Sequence, residues 1–153
     1  MTTSEYSEIT FLVERLHRRF LDVLKVEMTR MGYRDINAVQ GLLLAHVGDG
    51  DALVRDLVER GYYQGSNASY NIRKLVDYGY LEQDKAEHDK RSSRISLTEK
   101  GQKLVSAITA LEARQKEALE KAIGPEELKA TIAVLRRLEH QWSDAVTYPY
   151  AAQ

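Results

Sequence analysis

Residues 66–101 read SNASYNIRKLVDYGYLEQDKAEHDKRSSRISLTEKG and contain a short helical pattern followed by two short extended segments. In the first part, apolar and small residues recur at helical spacing, and Ser66 is placed to cap the helix. The segments YLEQDK and SRISLT follow, and the charged loop between them makes this a β-hairpin pattern. Thr98 is placed to cap a further helix. The stretch therefore predicts a helix from Ser66 to Tyr78, a hairpin, and the start of another helix.

The flanking sequence predicts helices on both sides of this stretch. Apolar residues recur every three or four positions from Ser4 to Met31, which indicates a long first helix. Asp35 and Asp51 are placed to cap two shorter helices. Pro125 is acceptable at the first position of a last helix, whose apolar side ends at Trp142. The predicted order is four helices, a hairpin and two helices.

This order predicts a mainly α (α+β) fold, a winged helix-turn-helix with a small β-hairpin wing and long N- and C-terminal dimerisation helices. The winged module would span residues 33–101 of a single chain, 1–153, and segments 4–31 and 102–147 would form the helical dimerisation region. The terminal helices are too extended for a short central core to cover. We therefore expect their apolar stripes to pack against each other and against a second copy of the chain.

The composition excludes several functional classes. The chain has no cysteine, which rules out disulfides, thiolate metal sites and cysteine nucleophiles. No apolar run reaches the roughly 20 residues of a membrane span, and the start MTTSEYSE lacks the order of a signal peptide, so we expect a cytoplasmic protein. The four histidines are not at metal-ligand spacing, and no nucleophile elbow or phosphate-binding glycine loop occurs. We expect neither an enzyme nor a cofactor.

Positive charge is concentrated in the predicted helix and hairpin. Residues 60–103 contain nine basic and six acidic residues, although the whole chain has a net charge of −1. Side chains that suit bases and phosphates share the outer face of the helix, namely Asn67, Ser69, Tyr70, Arg73 and Lys74. Ser66 at the start of the helix is a further DNA-binding candidate. Charged hairpin tips are also common simply because loops face water. The helix and the hairpin together favour a DNA-binding surface.

The hairpin tip contributes four further candidates, Asp89, Lys90, Arg91 and Arg94. The narrow, electronegative minor groove attracts an arginine, and Arg91 is the best candidate to enter it. Asp89 could hold the guanidinium in a planar bidentate pair. Lys90 and Arg94 would then bind phosphates, which supplies affinity without distinguishing bases.

The run DKRSSRISLTEKG resembles the wing signature of the MarR family of bacterial transcriptional regulators. The matching positions are Asp89, Arg91, Ile95, Leu97, Thr98 and Gly101. The stretch IRKLVDYGYLE is also similar to the end of the family's recognition helix and its first wing strand. The turn GYYQG and the helix start NASY differ from the usual family pattern, so the resemblance does not extend to the operator sequence.

The resemblance implies a DNA-binding transcriptional regulator that binds a pseudo-palindromic operator as a homodimer. We expect a repressor, with activation left open. It also implies a cleft between the dimerisation helices and the winged module that admits a small-molecule effector of unknown identity. The predicted lining comprises His17, Phe20, Tyr33 and His46. The alternative from another class is a winged-helix protein-interaction module that does not bind DNA.

Overall fold

The computed structural model describes residues 3–60, 65–84 and 93–148. The described residues form helices and three very short strands, in the order α1 Glu5–Arg30, α2 Ala38–Val47, β1 Ala52–Leu53, α3 Val54–Glu59, α4 Gly65–Asp77, β2 Leu81–Asp84, β3 Arg94–Leu97, α5 Glu99–Ala122 and α6 Pro125–Thr147. This order confirms the predicted mainly helical winged helix-turn-helix fold, with α4 as its recognition helix and the β2–β3 hairpin as its wing.

The chain divides into two compact units, Met1–Leu111 and Glu112–Gln153. The first unit holds one apolar core to which every element from α1 to the first half of α5 contributes. Its fully buried large side chains are Met28, Leu43, Leu44, Leu57, Ile72, Leu75, Tyr80, Leu81, Ile95, Leu104 and Ile108. The second unit comprises the end of α5 and all of α6, and no residue of α6 is buried.

The cap of α2 lies two residues later than the sequence suggested. Asn37, not Asp35, caps this helix, because its side chain accepts a hydrogen bond from the Gln40 backbone N–H at 2.8 Å. The Gln40 side chain accepts in return from the Asn37 N–H at 3.0 Å, which completes a capping box. Asp35 is thereby left free to bond elsewhere.

A third strand, β1, joins the wing and was not predicted. The sheet order is β1-β3-β2, and both pairings are antiparallel. Ala52 and Leu53 pair with Ile95 and Arg94, and the Val54 N–H donates to the Ser93 carbonyl at 3.1 Å. A strand of two residues has no period to detect in the sequence, so only its partner strand defines it.

The terminal helices leave apolar side chains exposed. On α1, one stripe of exposed apolar side chains comprises Ile9, Leu12, Leu16, Phe20 and Val23. On α6 the exposed apolar set includes Ile132, Leu135 and Val146. None of the helices in the described ranges is long and apolar enough to cross a membrane.

Candidate nucleic-acid interface

The recognition helix α4 has one buried and one polar face. Ala68, Ile72 and Leu75 enter the core at 0 to 2% exposure and hold the helix in place. The opposite face carries most of the predicted DNA-binding side chains: Asn67, Ser69, Tyr70 and Arg73 are exposed, and Lys74 is half-buried. Ser66 lies in the first turn, because the helix begins at Gly65, one residue before the predicted cap. The helix thus presents amide, hydroxyl and cationic groups on one accessible surface.

Two contacts organise the flank of α4 nearest α2. The Lys74 ammonium lies 5.7 Å from the centre of the Tyr70 ring, within reach of a cation–π interaction. The buried Gln40 amide donates to the Asn71 side chain at 3.2 Å, which connects the first turn of α2 to the middle of α4. The sequence analysis missed this contact. The Asn-x-x-Gln spacing could have revealed the capping box, but not the partner on α4.

Of the four candidate residues in the wing, the structure describes Arg94. Arg94 is exposed at the start of β3, paired in register with Asp84 of β2. Its guanidinium lies 3.8 Å from the Asp51 carboxylate, and both side chains are more than half exposed, so this ion pair is weak. Asp89, Lys90 and Arg91 lie outside the described residues, and their roles stay predictions.

Three side chains meet where α4 joins the wing, and we call Asp35, Tyr80 and Lys100 the Asp35 cluster. The Tyr80 hydroxyl donates to one Asp35 oxygen at 2.7 Å, and the Lys100 ammonium donates to the other at 3.2 Å. The same ammonium donates to the Tyr78 carbonyl at 2.9 Å and lies 4.2 Å from the centre of the Tyr80 ring. None of these contacts was predicted.

The Asp35 cluster changes the acidity of its members. Partial burial by itself raises the pKa of Asp35, but the hydrogen bonds from Tyr80 and Lys100 outweigh it, and the net pKa lies below the usual value. Burial, followed by the hydrogen bond to the Asp35 carboxylate, raises the pKa of the Tyr80 hydroxyl. Around neutral pH the cluster therefore holds an ionised carboxylate and a protonated phenol.

A cleft of about 730 Å³ lies between the second half of α1, the start of α2 and the side of α4. Tyr33 lines it, together with Tyr70, Lys74 and Tyr78 of the recognition helix segment. The other three predicted lining residues do not: His17 and Phe20 are exposed earlier on α1, and His46 lies near the far end of α2. The structure therefore does not bring the four predicted side chains together.

The cleft also contains cations that the sequence analysis missed, namely Lys25 of α1 and Arg34 of the α1–α2 connection. Nothing local in the sequence marks them, because only the fold brings them into the same cleft as Lys74. Among the residues that the structure describes, no group of three or more histidine and carboxylate side chains is arranged to hold a metal ion.

Comparison with known proteins agrees with this geometry. Residues 36–101 match a winged helix DNA-binding domain. The chain is 35% identical over 146 residues to the exopolysaccharide II synthesis transcriptional activator ExpG of Rhizobium meliloti (strain 1021), covering 94% of this chain and 74% of that protein.

Solved structures share the fold. One is a MarR transcriptional regulator from Methanosarcina mazei Go1, with a TM-score of 0.69, 24% identity and coverage of 88% of this chain and 96% of that one. Another is MepR of S. aureus in a complex with DNA, with a TM-score of 0.74, 20% identity and coverage of 92% and 99%. The winged module, the polar face of α4 and these similarities together show that the chain belongs to the MarR family of DNA-binding transcriptional regulators.

Proposed function

We propose that this regulator binds a roughly palindromic promoter site as a homodimer, with α4 in the major groove and the wing tip in the adjacent minor groove. The observation that carries the proposal is the polar, exposed face of α4 beside the wing. A helix fits the major groove, and an adjoining hairpin can follow the backbone to the neighbouring groove. Recovery of bound fragments from genomic DNA with the purified protein would test binding and identify the operator.

The homodimer is supported by the apolar surface of the terminal helices. On α1, Leu16 is 63% exposed and Phe20 is 47% exposed, and both lie on the exposed apolar stripe. Contiguous exposed apolar surface of this kind is typical of a protein interface. A symmetric dimer would also present two copies of α4 at a fixed spacing, which suits a palindromic site.

Arg73→Ala should change the sequence preference of the protein. Arg73 is exposed near the centre of the polar face of α4, where a guanidinium can bind guanine with two hydrogen bonds. Loss of such a contact costs about 1–3 kcal/mol at one position of the site. Binding to the operator and to its single-base variants should show relaxed discrimination at one base pair in each half-site. Arg137→Ala on α6 is the control and should leave the profile unchanged.

Arg91→Ala should weaken binding to all sequences alike. The predicted role of Arg91 depends on the width and charge of the minor groove and not on a base pattern. Affinity for the operator and for unrelated duplexes should therefore fall by a similar factor in gel-shift titrations. A variant that binds as tightly as the parent would remove Arg91 from the interface.

Salt dependence separates the proposal from the protein-interaction alternative. Binding to DNA releases counterions from the phosphates, so affinity should fall steeply as the salt concentration rises. A protein partner bound through apolar surface would show a shallow dependence. Absence of duplex binding even at low salt would favour the alternative.

An effector is the remaining part of the proposal. The 730 Å³ cleft is large enough for a small molecule, and Tyr70 and Lys74 line it from the recognition helix. An occupant would therefore contact side chains that also face DNA. Calorimetric titration with candidate small molecules and metals tests this, and it fails if nothing binds and DNA affinity never changes.

The direction of regulation follows from where the operator lies. The R. meliloti relative is named a transcriptional activator, which supports activation, whereas repression stays a prediction from the family resemblance. We expect the protein to act by binding alone, without catalysis, in the cytoplasm where the chromosome lies. Transcription in vitro from templates with the operator upstream of the promoter or overlapping it would assign the direction.

A further inference from the structure

The turn between α4 and β2 is held on two sides by groups far away in sequence. On one side, the Thr98 hydroxyl donates to the Gly79 carbonyl at 2.6 Å, and the Thr98 N–H donates to the Tyr80 carbonyl at 3.1 Å. On the other side, Asp35 accepts the Tyr80 hydroxyl at 2.7 Å. This turn determines the angle at which the recognition helix passes into the wing.

Lys100 connects the two sides. Its ammonium donates to the Tyr78 carbonyl at 2.9 Å, at the end of α4, and to Asp35 at 3.2 Å, in the α1–α2 connection. Three chain segments, the α1–α2 connection, the α4–β2 turn and the first turn of α5, are thus joined by one ammonium and one carboxylate. Hydrogen bonds between charged groups are about twice as strong as neutral ones, so this junction is well suited to hold a fixed angle.

Tyr80 cannot act by touching DNA. It is 1% exposed, and its ring packs between the core and the Lys100 ammonium. Any effect of its hydroxyl on DNA binding must therefore pass through the position of α4 and the wing.

We propose that the Asp35 cluster positions the recognition helix and the wing relative to each other, so that Asp35, Tyr80 and Lys100 determine DNA affinity without contacting DNA. The inference rests on the proposed binding of α4 and the wing to adjacent grooves. The contacts of α4 and the wing with DNA reinforce each other only if their separation matches the spacing of the two grooves. A wing that could move relative to α4 would have to be ordered on binding, and this would lower the affinity.

The test uses Tyr80→Phe, Asp35→Asn and Lys100→Met in the full-length protein, with operator affinity measured below the temperature at which any variant begins to unfold. Each variant should bind about tenfold more weakly, the size expected when a charge-assisted hydrogen bond is lost. Asp35→Asn combined with Lys100→Met should bind no more weakly than either single variant, because both remove the same junction. Lys100→Arg should restore most of the affinity.

The slope of the logarithm of affinity against the logarithm of salt concentration distinguishes a positioning role from direct contact with DNA. Lys100→Met should leave the slope unchanged, whereas loss of a phosphate contact would reduce it by about one. The control is Lys103→Met, which removes an exposed cation from the same helix, 3.8 Å from Glu99 and outside the cluster. It should match the parent in affinity.

Four results would overturn the inference. Tyr80→Phe with parental affinity but a lower Tm would mean that the cluster only stabilises the fold. A reduced salt slope for Lys100→Met would make Lys100 a phosphate ligand. A parent protein that binds no duplex would end the proposed function as well, whereas a binding parent with unaffected variants would end this inference alone.

Discussion

Replacing Gly101 with alanine should lower the free energy of unfolding by about 3 kcal/mol or more. Gly101 lies in the first turn of α5, and a Cβ atom there would overlap the carbonyl oxygen of Tyr80 far inside van der Waals contact, and would also crowd Leu97. The obstacle is backbone, and the Tyr80 carbonyl is fixed because it accepts from Thr98. The roughly 1 kcal/mol that alanine gains over glycine in a helix is too small to compensate.

Gly41→Ala is a matched control for this prediction. A Cβ atom at Gly41 would lie 2.7 Å from the Met28 sulfur and 3.0 Å from its terminal methyl. Both atoms belong to the end of a flexible side chain that can rotate aside. Urea unfolding should therefore show a much smaller loss of stability for Gly41→Ala. Equal losses, or a Gly101→Ala protein as stable as the parent, would contradict the steric explanation.

Helices with a regular apolar spacing were the part of the fold that the sequence predicted best. The apolar spacing of α1, α4, α5 and α6 predicted these helices, because each buries or exposes one continuous stripe. α2 ends at Gly48, a glycine after an apolar helical run, and its φ of 68° shows why a residue without a side chain is favoured there. These signals are local, so the residues of each segment are enough to predict its helix.

The errors concern residues whose structure depends on distant partners. Asp35 and Asn37 both carry side chains that cap helices, and local sequence cannot choose between them. The choice follows from Tyr80 and Lys100, which lie 45 and 65 residues away and occupy the Asp35 carboxylate. Nothing local in the sequence around Tyr80 indicates that its hydroxyl would bind Asp35.

In the candidate site too, local periodicity predicted one part, and contacts between distant segments determine the other. The exposed face of α4 followed from helical periodicity, and Tyr70 is 55% exposed there. The lining of the cleft could not be predicted, because it combines α1, α2 and α4 at angles that only core packing determines. Of the four predicted lining residues, Tyr33 lines this cleft, and His17, Phe20 and His46 do not.

Phe20→Asp should convert the protein to a monomer and reduce operator affinity about a hundredfold or more. Phe20 lies on the exposed apolar stripe of α1, and a carboxylate buried there in a dimer would lose its hydration without gaining a partner. A monomer can occupy only one half-site at a time, so it loses the gain in effective concentration that a linked second contact provides. Light scattering gives the mass, and gel-shift titration gives the affinity.

Phe11→Asp is the matched control for the dimer prediction. Phe11 is 56% exposed, comparable with Phe20, but the two residues are nine positions apart on α1, about two and a half turns, and so project from opposite faces. Both substitutions place the same charge on the same helix, so any difference between them must come from the surface that each face meets. A dimeric Phe20→Asp protein would exclude the stripe as the dimer interface. A monomeric Phe11→Asp protein would show that both faces of α1 lie in the interface. If only Phe20→Asp dissociates, the loss of DNA binding follows from the loss of the second α4, because Phe20 lies outside the polar face that we assign to DNA.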